Sequence, residues 1–250
     1  MSGHSKWSSI KHKKGAADAK RGKLFTKLAR AITVAARDGG GNADANPALG
    51  LAVQKARDAS MPKDNIQRAI DRGSGIGTDA AAIEQITFEG YGPGGAAILV
   101  DALTDNRNRT SADVRFAFNK HNGSLGEPGS VAWIFEKRGV IAVDGSRYAE
   151  DDLMPAIDAG AEDVSDEGDL LRVLSEPGDL ATVRQALESA GVEVESADIA
   201  MEPKSTVEVK GNDAKSLLGL IEALEEHDDV DSVHANFDIP ESVLEQLAAA

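Results

Sequence analysis

Two hundred and fifty residues with 41% hydrophobic content and 4% aromatics allow one to three domains whose cores are built mainly from Ala, Val, Leu and Ile. The absence of cysteine excludes a disulfide framework and thiolate metal sites and fits a reducing cytoplasm, while no apolar run approaches the roughly 20 residues of a membrane span and no secretory h-region follows the basic start. The charge is segregated: residues 1–38 hold ten Lys/Arg and two Asp, a balance of +8, so with a net charge of −15 the remainder carries −23. Such a chain is expected to meet a polyanion at its basic end.

Residues 1–18 are polar, basic and short of periodic apolar positions, and read as an arm that is mobile or extended until it meets a partner. A helix is expected from about Ala19 to Arg37, stopped by Gly39-Gly40-Gly41. At 100° per residue, Lys20, Lys23, Lys27, Arg30 and Arg37 share an arc of roughly 100°. Leu24, Phe25, Leu28, Ile32 and Ala35 face the other way, with Arg21 on the apolar side in the first turn. Asn46-Pro47 sets a cap before a proline at the first helical position, and Leu49, Val53 and Ala56 continue an apolar stripe. Met61-Pro62 starts a third helix with Ile66, Ala69 and Ile70 apolar and Gly73 as its stop. A three-helix bundle over residues 1–78 follows, with Gly73–Gly77 as a flexible linker. That glycine run follows a helix, not a strand, so it does not read as a phosphate loop.

From Gly139 the pattern is β-α-β-β-α-β: strands Val140–Val143, Ala161–Ser165, Leu170–Ser175 and Val192–Met201, with helices Asp151–Ala159 and Leu180–Ala190. This is the ferredoxin-like split βαβ arrangement. A flanking set has strands Ala96–Leu103, Val131–Phe135, Thr206–Lys210 and Val230–Phe237 and helices Ser111–His121 and Ala214–Glu226. It gives the same order if the first unit is inserted within it. The stretches starting at Leu170 and Thr206 both run strand, turn, helix, strand and closing proline, which reads as duplication of one unit. The expected architecture is therefore α+β: a helical bundle, then a discontinuous α/β domain (79–137 and 204–240) into which a second one (138–203) is inserted.

Lys6, Trp7, Lys11, His12, Lys13 and Lys14 combine cations that can neutralise phosphates with a ring that can stack on a base or fill an apolar pocket. Tyr91-Gly92-Pro93-Gly94-Gly95, between two strand-like runs, reads as a hairpin turn. In Asp105-Asn106-Arg107-Asn108-Arg109-Thr110, at a strand-to-helix junction, Arg107 and Arg109 either contact a second phosphate or pair with local carboxylates. The five histidines have no metal-ligand spacing. No nucleophile elbow, Walker loop or paired-carboxylate motif points to catalysis, and an enzyme would need a cleft where titratable groups converge. Helix-turn-helix, zinc-finger and basic-zipper patterns are also missing. The acidic stretch after Arg147 reads as an anion-repelling surface, leaving the N-terminal side to approach nucleic acid.

The motifs GHSKWSSIKHKK, DAKRGKLFTKLARAI, ASMPKDNIQRAI, FEGYGPGGAAILVDALTDNRNRT and GSVAWIFEKRG resemble the YebC/PmpR family over nearly the whole chain, least so between about 145 and 203. Mitochondrial relatives in that family activate translation. Ser8-Ser9 depart from the commoner small-plus-Asn pair, which leaves every basic position intact. The resemblance implies a helical N-terminal domain followed by two α/β domains. It also implies a cytoplasmic, non-enzymatic protein that regulates transcription by binding DNA. A competing view of the family is a ribosome-associated factor that aids translation of difficult sequences such as proline runs. The resemblance carries over only basic motif positions, as phosphate contacts: Lys6, Lys11, His12, Lys13, Lys14, Lys20, Arg21, Lys23, Lys27, Arg30, Arg107 and Arg109, with Trp7 beside them. The partner is DNA or ribosomal RNA, no cofactor is called for, and the expected state is a monomer.

Overall fold

The computed structural model describes residues 17–75 and 83–240, with side chains from residue 21 onward. Helix α1 (Ala17–Gly39) packs with α2 (Pro47–Asp58) and α3 (Lys63–Gly73) around Leu28, Ile32, Leu49, Val53, Ala56 and Ile66. Asn46 secures the corner in two ways. Its Oδ1 accepts the Leu49 N–H at 3.1 Å to cap α2, and its Nδ2 donates to the Ala35 and Gly40 carbonyls at 2.8 and 2.9 Å. The predicted apolar stripe is buried or half-buried except at Leu24, which is 43% exposed. The predicted linker begins at the end of α3 and passes out of the described residues after Gly75.

Strands β1 (Glu84–Tyr91) and β2 (Ala97–Thr104) form an antiparallel hairpin closed by a 3₁₀ turn at Pro93–Gly95, as the Gly-rich stretch predicted. Gly94 and Gly95 take φ of +74° and +77°, where a side chain would be strained. Helix α4 (Arg107–Lys120) and the short β3 (Ser124–Leu125) follow. Then come β4 (Phe135–Asp144), α5 (Met154–Asp158), β5 (Ala161–Asp166), β6 (Leu170–Ser175), α6 (Leu180–Ser189) and β7 (Val194–Pro203). The chain closes with β8 (Val207–Glu208), α7 (Gly211–Glu225), β9 (Val230–Ala235) and β10 (Phe237–Asp238).

The fold is α+β, with N-terminal helices followed by antiparallel sheets. The sheet β5-β6-β4-β7 is antiparallel at every pairing and has the strand order of a split βαβ. Its helical face closes over Ile141, Val143, Leu153, Val183 and Leu187. The other large sheet has the order β3-β1-β2-β9. Here two strand assignments are corrected. The places on either side of β2 belong to β1 and β9, because Ile98, Val100 and their partners in β1 and β9 cover the α7 residues Leu217, Leu220 and Ile221. Of Thr206–Lys210 only Val207–Glu208 is strand, paired parallel with β10 in a separate two-stranded sheet. Val131–Phe135 is mostly a 3₁₀ turn (Ala132–Ile134), because its residues plug the second face of the sheet against Ala97 and Leu99. Helix α4 starts four residues earlier than predicted, capped by Asn106, whose Oδ1 accepts the Arg109 N–H at 3.1 Å.

Candidate nucleic-acid interface

Helix α1 carries the cationic row, and the fold lays part of that row against the C-terminal end of α7. The last carbonyls of a helix have no intrahelical partner and concentrate partial negative charge, so cations satisfy them well. Lys27 Nζ donates to the Glu225 carbonyl at 2.6 Å and Lys23 Nζ to the Glu226 carbonyl at 3.4 Å, while Arg30 Nη1 reaches the Asp228 carbonyl at 2.7 Å. Lys23 also lies 3.7 Å from the exposed Asp228 carboxylate. Burial pushes the Lys27 ammonium below its ordinary pKa, and the nearby Asp231, Glu225 and Asp228 only partly offset this.

Asp229 gathers the strongest contacts. Its carboxylate takes Arg30 Nη1 on one oxygen at 2.7 Å, and on the other Arg109 Nη2 at 2.7 Å, Thr110 Oγ1 at 2.7 Å and Thr104 Oγ1 at 3.2 Å. Its backbone is held too: the carbonyl accepts the Leu103 N–H at 2.7 Å, and the N–H donates to His227 Nδ1 at 3.1 Å. Burial alone would raise this carboxyl's pKa. The hydrogen bonds from Arg109 and Thr110 and the charge of Arg30 outweigh it and hold the group at about 2. A short loop after α7 thus ties together α1, β2 and α4.

The predicted contact residues separate into three sets. Arg30 and Arg109 meet on Asp229, and Lys23 and Lys27 sit on the end of α7, so their charge is matched within the molecule. The open choice at Arg109 resolves toward local carboxylates, since its Nη2 also pairs with Asp105 at 2.9 Å. Arg21 and Arg107 are exposed and pair with no described residue. Lys6, Trp7, Lys11, His12, Lys13 and Lys14 lie outside the described residues, as does the side chain of Lys20, although its backbone belongs to α1. Arg37 pairs with Asp38 at 2.8 Å and donates to the Ile83 carbonyl.

Sequence reasoning missed the acidic half of this joint, because Glu225–Asp229 lies at the opposite end of the chain from α1. One signal pointed to it. On the helical wheel Val34 falls between Lys27 and Arg30, inside the cationic arc, and it is buried. A buried valine within a cation row marks a packed face. Among the described residues no group of three or more His, Asp or Glu could hold a metal ion, and no helix is long and apolar enough to cross a membrane.

Residues 5–76 match the family model for the TACO1/YebC protein N-terminal domain, and residues 83–237 match the model for the TACO1/YebC second and third domain. The chain belongs to the TACO1/YebC family. A relative from Rubrobacter xylanophilus is 59% identical over 249 residues, covering 99% of this chain and 100% of its own length. One from Desulfotalea psychrophila is 54% identical over 250 residues, with the same coverage. Both are named "Probable transcriptional regulatory protein". The crystal structure of a conserved hypothetical protein from Aquifex aeolicus superposes with a TM-score of 0.83 at 46% identity, over 90% of this chain and 93% of that one. The helical bundle lies within the part matched by the first model, and the two large sheets lie within the part matched by the second.

Proposed function

We propose that this protein is a non-enzymatic regulator that binds nucleic acid through its N-terminal module, acting in the cytoplasm as a monomer, without a cofactor, on DNA. The observation that carries this reading is the charge segregation, with +8 up to Asp38 against −23 in the rest of the chain. The body repels a polyanion while the basic end attracts one. The names of the relatives support a role in transcription. In this reading the chain works as three units, 1–78, 79–137 with 204–240, and the inserted 138–203. Phosphate contacts come chiefly from Lys6, Lys11, His12, Lys13, Lys14, Lys20, Arg21 and Arg107, with Trp7 stacking on or beside the partner.

A second reading, contact with ribosomal RNA as a translation factor, is favoured by one observation. Helix α1 is pinned along its cationic side to α7, so it is not a free recognition helix for a major groove. Crosslinking in cells followed by sequencing of bound DNA and RNA separates the two. Discrete promoter peaks support the transcriptional reading, and enrichment on ribosomal RNA without promoter peaks refutes it. In vitro, replacing Lys11, Lys13 and Lys14 by Ala should reduce the slope of log affinity against log salt by about 2 to 3, reflecting three lost phosphate contacts. An unchanged slope would mean that the arm does not touch phosphate.

A further inference from the structure

Between α1 and α3 lies an open groove of about 520 Å³, a volume in the range of ligand sites. Its apolar floor includes Phe25, Met61 and Ala69, and Arg30, Arg68 and Arg72 line it. Arg68 and Arg72 are four residues apart on α3 and so share a face. Arg68 is oriented within its own helix, by Nε to the Asp64 carbonyl at 3.1 Å and Nη2 to Asn65 Oδ1 at 2.6 Å. Neither Arg68 nor Arg72 pairs with a carboxylate among the described residues. Arg30 uses Nη1 for both of its bonds to Asp228 and Asp229. Among the described residues the carboxylate on the rim is that of Asp105, which is paired with Arg109 at 2.9 Å.

On a chain with net charge −15, two guanidinium groups that no described carboxylate matches, beside an apolar floor and with the rim carboxylate of Asp105 already paired, make a place for an anion that has an apolar part. Guanidinium forks suit phosphate oxygens, and an aromatic and thioether floor suits the face of a base. We propose that this groove binds one unpaired nucleotide of a single-stranded nucleic acid, with phosphate on Arg68 and Arg72 and the base on the Phe25–Met61 floor. The inference rests on the nucleic-acid reading and gives it a second contact, separate from the basic arm. A paired base could not reach the floor, so the site selects single strands.

The test uses the full chain and a fluorescent single-stranded 12-mer, the matching duplex, and AMP. Relative to the unaltered protein, Arg68→Ala/Arg72→Ala should weaken single-strand binding at least tenfold at 0.1 M salt. It should also lower the salt slope by about 1 to 2 and weaken duplex binding much less. Both side chains are exposed, so thermal unfolding should be unchanged. Separately, AMP should move the Nε–Hε resonances of Arg68 and Arg72 saturably and leave that of Arg57 in place. Unchanged single-strand affinity in the double variant, while the Lys11/Lys13/Lys14→Ala arm variant binds less, overturns the groove and leaves the nucleic-acid reading standing. Equal losses on duplex and single strand overturn the unpaired nucleotide. Failure of the intact protein to bind either polymer at low salt overturns the nucleic-acid reading, and the groove is then judged on AMP alone, where absence of a saturable shift overturns it.

Discussion

Replacing Asp229 by Asn tests the joint between the helical module and the rest of the chain. The carboxyl is held at about 2 against an ordinary 3.8, which at 1.36 kcal/mol per unit amounts to about 2 kcal/mol. Because the folded value is depressed, this stability is fully present above about pH 5, where the unfolded chain is almost wholly ionised. It is lost as pH falls through about 2, where the folded carboxylate takes up its proton. Asp229→Asn should therefore cost about 2 kcal/mol at pH 7. The larger penalty of an orphaned buried charge is avoided, because Arg30 and Arg109 keep 24% and 47% of their side-chain surface and can rehydrate. Urea unfolding of both proteins, followed by far-UV circular dichroism at pH 7, 5, 3.5 and 2.5, measures the difference. It should be constant from pH 7 to 5 and then shrink. A loss at pH 7 no larger than the about 0.5 kcal/mol typical of an ordinary surface substitution would refute the account of Asp229 as the anchoring charge. So would a difference that does not change between pH 5 and 2.5.

Two further substitutions probe other joints. Glu89, at 9% exposure, accepts the N–H groups of Gly129, Val131 and Ala132 at 2.6 to 2.8 Å. Burial pushes its pKa up, but these three bonds outweigh burial and hold it below the ordinary 4.5. Glu89→Gln should cost about 2 kcal/mol at neutral pH, less below pH 4, and should change the emission of Trp133, whose indole N–H bonds to Ser130 in the same loop at 3.1 Å. At Gly73 an added Cβ would lie 2.2 Å from the Thr33 carbonyl oxygen, so Gly73→Ala should push α3 off α1 and cost about 2 kcal/mol or more, read as a lowered melting temperature.

What the sequence made legible were features whose cause is local. Asn46-Pro47 starts α2 by its own backbone chemistry, and the β-α-β-β-α-β pattern from Gly139 onward gives four strands and two helices in their observed order. The outer sheet was harder. Val207 and Val209 alternate like a strand, but the place beside β2 goes to Glu84–Tyr91, which forms a hairpin across the Pro93–Gly95 turn. Pairing between distant segments is decided by which faces cover α7, and no local pattern carries that. The same holds at the candidate site. The cations of α1 were visible, but their partners at Glu225–Asp229 were not, and Arg68 and Arg72 gained meaning only once α3 was set beside α1.

The Asp229 joint also bears on binding, with a sign opposite to that of a binding residue. Along α1 the cations divide: Lys27 and Arg30 are matched by the body, whereas Arg21 at the other end pairs with no described residue. If the matched cations contributed to polyanion affinity, breaking the joint by removing Asp229 would leave affinity unchanged or lower it. If the body instead neutralises them, Asp229→Asn removes one negative charge and releases two guanidinium groups, so affinity for a nonspecific duplex should rise about threefold to tenfold at 0.05 M salt. The salt slope should steepen by up to 2 as the freed Arg30 and Arg109 find phosphates. Fluorescence anisotropy across a salt series, at a temperature where the variant is fully folded by circular dichroism, decides between these outcomes. An affinity that falls, with a shallower slope, would mean that the Arg30–Asp229–Arg109 cluster itself faces nucleic acid and that the joint is part of the binding surface.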